Sequence, residues 1–103
     1  MADSYTIGQE RTADGAATIL RISGELDINA RDDLREALLP AIRGGDVVVD
    51  LHGVTFLDSE ALGALIEGYN AARRSAAGLR VVNARGLVAR VLNVSGAAEL
   101  FGS

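Results

Sequence analysis

Apolar and polar residues alternate through ATILRISGEL, residues 17–26, where Thr18, Leu20 and Ile22 oppose Ile19 and Arg21. Period two with this many β-branched residues predicts a strand. A shorter strand is expected over Tyr5 to Gln9, and Ala13-Asp14-Gly15 supplies a turn between the two, giving an N-terminal hairpin. The period then lengthens. In NARDDLREALLPAIRGG, residues Leu34, Ala37, Leu38, Ala41 and Ile42 recur at helical spacing behind Asn29 as a candidate N-cap, with Asp32 and Asp33 in the first turn and Gly44-Gly45 as a stop. Pro40 lacks an N–H and its ring crowds the carbonyl of Glu36, so a kink or an early end is expected there.

DVVVDL, residues 46–51, is nearly all apolar, the pattern of a central strand buried on both faces between parallel neighbours. After a connection through Gly53, the stripe Leu62, Leu65, Ile66, Tyr69 and Ala72 predicts a helix from about Ser59 to Ala76, with Gly78 after it. LRVVN, residues 79–83, reads as another buried strand. Leu87, Val88, Val91 and Leu92 then mark a last helix that ends near Gly96, before the short tail AAELFGS. The order is ββαβαβα, an α/β arrangement whose crossover helices make the central strands parallel, in one domain over residues 1–103.

Composition narrows the function. Hydrophobic residues make up 49% of the 103 and charged residues 23%, the balance of a folded domain. Without cysteine there are neither disulfides nor cysteine-ligated zinc. All ten basic residues are arginine against fourteen acids, and a net charge of −4 repels phosphate backbones, so no direct nucleic-acid partner is expected. Arg73 and Arg74, the only adjacent bases, read as a solvated helix end. No apolar run approaches the roughly 20 residues of a membrane span, and MADSYTIGQE is polar where a signal peptide is apolar; a cytoplasmic location is expected.

Catalytic signals are sparse. No G-x-G-x-x-G or phosphate loop is present, so no nucleotide cofactor is expected, and Asp32 and Asp33 point to different helix faces rather than to a shared metal. His52, the only histidine, follows an apolar strand and reads as a loop or strand-end residue; with Asp58 and Ser59 it could suggest a hydrolase, but the G-x-S-x-G elbow is absent. The chain reads as a binding domain and not an enzyme.

The distinctive local feature is FLDSEALGALI, residues 56–66, which sets Ser59 between Asp58 and Glu60 where a helical repeat begins. The first turn of a helix has unpaired N–H groups and partial positive charge, so an oxygen of Asp58 or Ser59 can cap it and a phosphate could be held there. Read alone, Ser59 is an N-cap and Glu60 a first-turn acid.

Three runs, DLHGVTFLDSEALGALI at 50–66, ISGELD at 22–27 and LRVVNARGLVARVLNVSGAAELF at 79–101, resemble the STAS family of bacterial anti-sigma factor antagonists in order and spacing, over about residues 5–101. The resemblance implies a STAS-like mixed sheet packed against helices, with Ser59 as a phosphoacceptor preceded by Asp58. It places Asp27, in the loop entering the first helix, on the partner-binding face, with Glu60, Leu62 and Gly63 adjoining. Family members commonly carry a small residue and then glycine after the phosphoacceptor, where this chain has Glu60 and Ala61. The implied function is partner switching. The unmodified protein binds an anti-sigma factor with ATP-dependent serine kinase activity and frees the sigma factor, phosphorylation of Ser59 reverses this, and a PP2C-type phosphatase restores binding. ATP belongs to the partner. The same resemblance admits an unphosphorylated scaffold or accessory subunit, in a stress-sensing complex or a lipid-transport ABC system.

Overall fold

The computed structural model describes residues 4–101, so both ends of the expected 1–103 domain and the last two residues of the tail lie outside it. Strands β1 (Tyr5–Arg11) and β2 (Ala17–Leu26) pair antiparallel, with Ile7 opposite Ile22. Their turn is closed by Asp14, whose carboxylate accepts the Thr12 hydroxyl at 2.6 Å and the Ala16 N–H at 3.0 Å. The chain continues through α1 (Ala30–Arg43), β3 (Asp46–Leu57), α2 (Ser59–Arg74), β4 (Leu79–Val82), α3 (Gly86–Ser95) and α4 (Ala97–Leu100). The sheet order is β1-β2-β3-β4, antiparallel at the first pair and parallel at the other two. The mixed sheet with its parallel centre agrees with the sequence pattern.

Alternation along the strands decides which face is covered. Leu20, Val49 and Leu51 are fully buried and Val47 and Val81 nearly so, while Arg21, His52 and Arg80 are exposed. Helices therefore pack on the first face: Leu34 and Leu38 from α1, Leu65 and Ala72 from α2, and Val88 and Leu92 from α3 complete the core. Tyr69 of α2 meets Phe101 edge to face at a centroid distance of 5.8 Å, which ties the chain after α4 to α2. The expectation that β3 is buried on both faces is corrected here: Val48 and Asp50 are half-buried and open toward water. An apolar run of β-branched residues satisfies a one-sided strand as easily as a two-sided one.

Five local expectations change. Pro40 neither ends nor interrupts α1, which runs three residues further to Arg43; Pro40 and Glu36 are both exposed, so the carbonyl left without an N–H partner meets water. Gly53 is inside β3 rather than in a connection; β2 shifts register opposite it, and a Cβ there would come 2.7 Å from that of Ser23. Asn29 has helical backbone angles and makes no side-chain cap. Helix α2 stops at Arg74, and Ala76 rather than a glycine takes the left-handed position, at φ 57°. The expected terminator Gly78 instead donates its N–H to Asp46 at 2.7 Å. The tail adds the single turn of α4, absent from the expected order.

Candidate functional site

Parallel pairing of β2 with β3 brings their last residues, Leu26 and Leu57, side by side, so both chains leave the sheet at one rim. The Asp58 N–H donates to the Leu26 carbonyl at 3.0 Å and fixes the two departures together. Asp27 and Asp58 thus occupy equivalent positions, and each organises the helix that follows. Asp27 accepts the Asn29 N–H on its side chain at 3.0 Å and the Ala30 N–H on its carbonyl at 2.9 Å, the turn that the sequence pattern assigned to Asn29 as a cap. Asp58 is extended, at φ −92° and ψ 175°, and its Oδ1 accepts the Ala61 N–H at 2.9 Å while its carbonyl takes the Leu62 N–H at 2.9 Å. Asp58 is therefore the N-cap of α2.

That leaves Ser59 as the first helical residue, with an exposed side chain. Its own N–H and that of Glu60 belong to the opening of the helix, where no earlier turn supplies an acceptor. Glu60 does not point freely to solvent: its Oε1 accepts from Arg31 Nη1 of α1 at 2.7 Å, and Arg31 Nε also lies 3.4 Å from Asp32. Hydrogen bonds from Arg31 to Glu60 and then Asp32, with their negative charge, hold the guanidinium protonated still more firmly than usual. One turn along α1 and about two along α2, Arg35 and Glu67 repeat the contact at 3.1 Å, so α1 and α2 are laced on their outer side.

The other site residues expected from the sequence separate. Gly63 is exposed with open space around it. Leu62 is 7% exposed and belongs to the core, so it supports the surface from beneath. Two residues that the sequence pattern did not single out stand at the same rim: Ile28, between Asp27 and Asn29, is 56% exposed, and Phe56, paired with Glu25 near the end of β3, is 42% exposed. A visible signal existed for Ile28, an isoleucine placed in a polar helix-entry loop with no periodic partner.

His52 is no part of this rim. It lies within β3, and the five strand residues to Leu57 span about 17 Å, so it cannot serve Ser59 as a base. It faces the open side of the sheet, where a hollow of about 580 Å³ is lined by Thr6, Arg21, Ser23, Asp50 and Asn83 among others. There Asp50 accepts the His52 N–H at 2.9 Å, the Asn83 amide at 3.0 Å and Arg21 at 3.0 Å, and Glu10 pairs with Arg21. Burial pushes the Asp50 carboxyl up, but the bonds from His52 and Asn83 and the charge of Arg21 together outweigh it and hold it below its ordinary value. Among the described residues no group of His, Asp and Glu is arranged to hold a metal ion, and no helix is long and apolar enough to cross a membrane.

The rim thus presents an exposed hydroxyl at a capped helix start, with the exposed apolar side chains of Ile28 and Phe56 near it. The model of the family described as "Mlab, STAS domain" matches residues 10–102, and this chain belongs to the STAS domain family. A STAS-domain containing protein of Pseudomonas aeruginosa (strain UCBPP-PA14) is 35% identical over 91 residues, covering 87% of this chain and 90% of that protein. The anti-sigma-B factor antagonist of Bacillus subtilis (strain 168) is 27% identical over 82 residues, covering 79% and 75% of the two chains. Among solved structures, an anti-sigma factor antagonist from Mycobacterium paratuberculosis superposes with a TM-score of 0.82 at 27% identity, covering 95% of this chain and 83% of that one.

Proposed function

We propose that this domain is an anti-sigma factor antagonist that works by partner switching in the cytoplasm. The unmodified form binds an anti-sigma factor that is also an ATP-dependent serine kinase and so frees the sigma factor; phosphorylation of Ser59 ends the complex, and a PP2C-type phosphatase restores it. The observation that carries this reading is Ser59 itself, exposed at the first position of α2 while Asp58 has already taken the capping role. Among the described residues its hydroxyl makes no hydrogen bond that a phosphate would break. A phosphate there adds about −1.5 to −2 charges beside Asp58 and Glu60, which the helix start tolerates and a closely packed partner does not. Asp27, Asp58, Glu60 and Gly63, with the apolar Ile28 and Phe56, form the contact surface, and Leu62 holds it up from the core. The role proposed for this surface is binding rather than catalysis.

The test is a pair of variants. Ser59→Ala retains capture of the anti-sigma kinase and Ser59→Asp loses it. A second reading, constitutive binding as a scaffold or accessory subunit without phosphorylation, is favoured by one observation: the Arg31–Glu60 pair stands beside the acceptor, where a kinase must approach. Equal affinity of the two variants, with no phosphate detected on Ser59 by intact mass, would select it.

A further inference from the structure

The net charge of −4 hides a division along the chain. Residues 1–67 hold thirteen acids against five arginines, a net −8, whereas residues 68–98 hold the five arginines Arg73, Arg74, Arg80, Arg85 and Arg90 and not one acid. The ion pairs lie in the first part, at Arg21, Arg31 and Arg35; among the described residues Arg85 and Arg90 make none. Arg85 precedes α3 as its N-cap residue without a side-chain capping bond. Helix α3 is unusual for a second reason. Val88 and Leu92 are its buried side, yet the flank beside them is also apolar before exposed Arg90 and Asn93 are reached: Leu87 is 64% exposed and Val94 82%, with half-buried Val91 between them at i, i+4, i+7 spacing. A surface helix with one covered side is expected to be polar on the other.

We infer that the outer side of α3 is a docking strip for an amphipathic helix of a partner protein, one whose apolar stripe is flanked by Asp and Glu. Leu87, Val91 and Val94 form the ladder that such a helix packs against, and Arg85 and Arg90 are the unpaired cations that meet its acids. A second copy of this chain does not fit. Antiparallel pairing of two α3 helices sets Leu87 against Val94 but brings Arg90 close to its twin, and α3 carries no acid to meet Arg85. An anionic bilayer or duplex fits no better, because it spans the whole domain and is repelled by the net −8 of residues 1–67, whereas a helix about 10 Å wide touches only the strip. The strip shares no residue with the Ser59 rim, so it stands or falls apart from the phosphorylation switch.

The experiment uses the isotope-labelled full chain and a designed helical peptide with Leu at i, i+4 and i+7 flanked by Glu, beside a control with Lys in place of Glu. The Glu peptide is expected to shift amide resonances within residues 85–94. The double variant R85Q/R90Q then weakens binding on the order of tenfold, as does added salt. L87S/V94S weakens it comparably while keeping the native spectrum, since both side chains are already in water. Absence of binding by the Glu peptide, equal binding of the Lys control, or shifts confined to the Ser59 rim would each overturn the inference. Arginine-dependent binding to phosphatidylglycerol vesicles without peptide binding would replace the protein partner with a membrane.

Discussion

At the Ser59 rim the charged and polar groups are already engaged: Asp58 caps α2, Asp27 closes the turn into α1, and Glu60 is held by Arg31. On the outer side of α3 the arrangement is reversed: among the described residues Arg85 and Arg90 make no ion pair, and aliphatic side chains face water. A region that satisfies itself can gain a phosphate without refolding, because the helix was complete before the modification. An unsatisfied region keeps its binding capacity at the expense of solubility. The two surfaces thus suit the two tasks proposed for them, one switched by charge and the other permanently receptive.

The largest effect comes from the backbone that sets the rim. Gly24 has φ +95°, and a Cβ there would lie 2.1 Å from the Ser4 carbonyl oxygen. Gly24→Ala should cost on the order of 2 kcal/mol or more and disturb the rim amides while leaving those of α3 near their native shifts, as chemical denaturation and NMR would read. Next is Asp58→Ala, which removes the α2 cap and should cost about 1 kcal/mol, a fall of about 4–8 °C in Tm. No loss for Asp58→Ala would mean that Ser59 caps the helix and is not free for modification.

A smaller effect separates both regions from the open sheet face. The Asp50 carboxyl is held below its ordinary 3.8, so the stability it contributes is complete above that pH and is lost as pH falls through the lower folded value. Asp50→Asn should flatten the acid limb of the stability profile below about pH 4 and change neither surface. Smallest of all, Arg31→Gln breaks a half-exposed pair and R85Q/R90Q breaks none, so neither should move the Tm measurably at physiological salt. A clear loss for R85Q/R90Q alone would show that these arginines have internal partners and would erase the contrast.

The strand and helix order was legible because Thr18-Leu20-Ile22 and Leu62-Leu65-Ile66 keep unambiguous periods. The cap at the candidate site was legible in local chemistry: an Asp-Ser pair before a helical repeat is a capping signature whatever its function, and Asp58 takes that role. Leu62 carried two readings, the first residue of the inward stripe and a neighbour of the partner-binding face, and its 7% exposure agrees with the stripe that helical spacing predicted. Gly53 read as a connection because a glycine in a strand and one in a loop look alike until Ser23 is seen opposite. The α3 strip escaped because a single net charge averages two oppositely charged stretches, although the acid-free run from Gly68 to Ala98 was present in the sequence.

The proposed switch is tested most directly by the affinity of two forms of the chain for the proposed anti-sigma kinase: the unmodified protein and the protein with phosphoserine installed at position 59 during synthesis. Binding should weaken on the order of 100-fold, about 3 kcal/mol, while the circular dichroism spectrum and Tm stay native. Equal affinity, or a loss that appears only with unfolding, would contradict a switch that acts by charge on a finished surface.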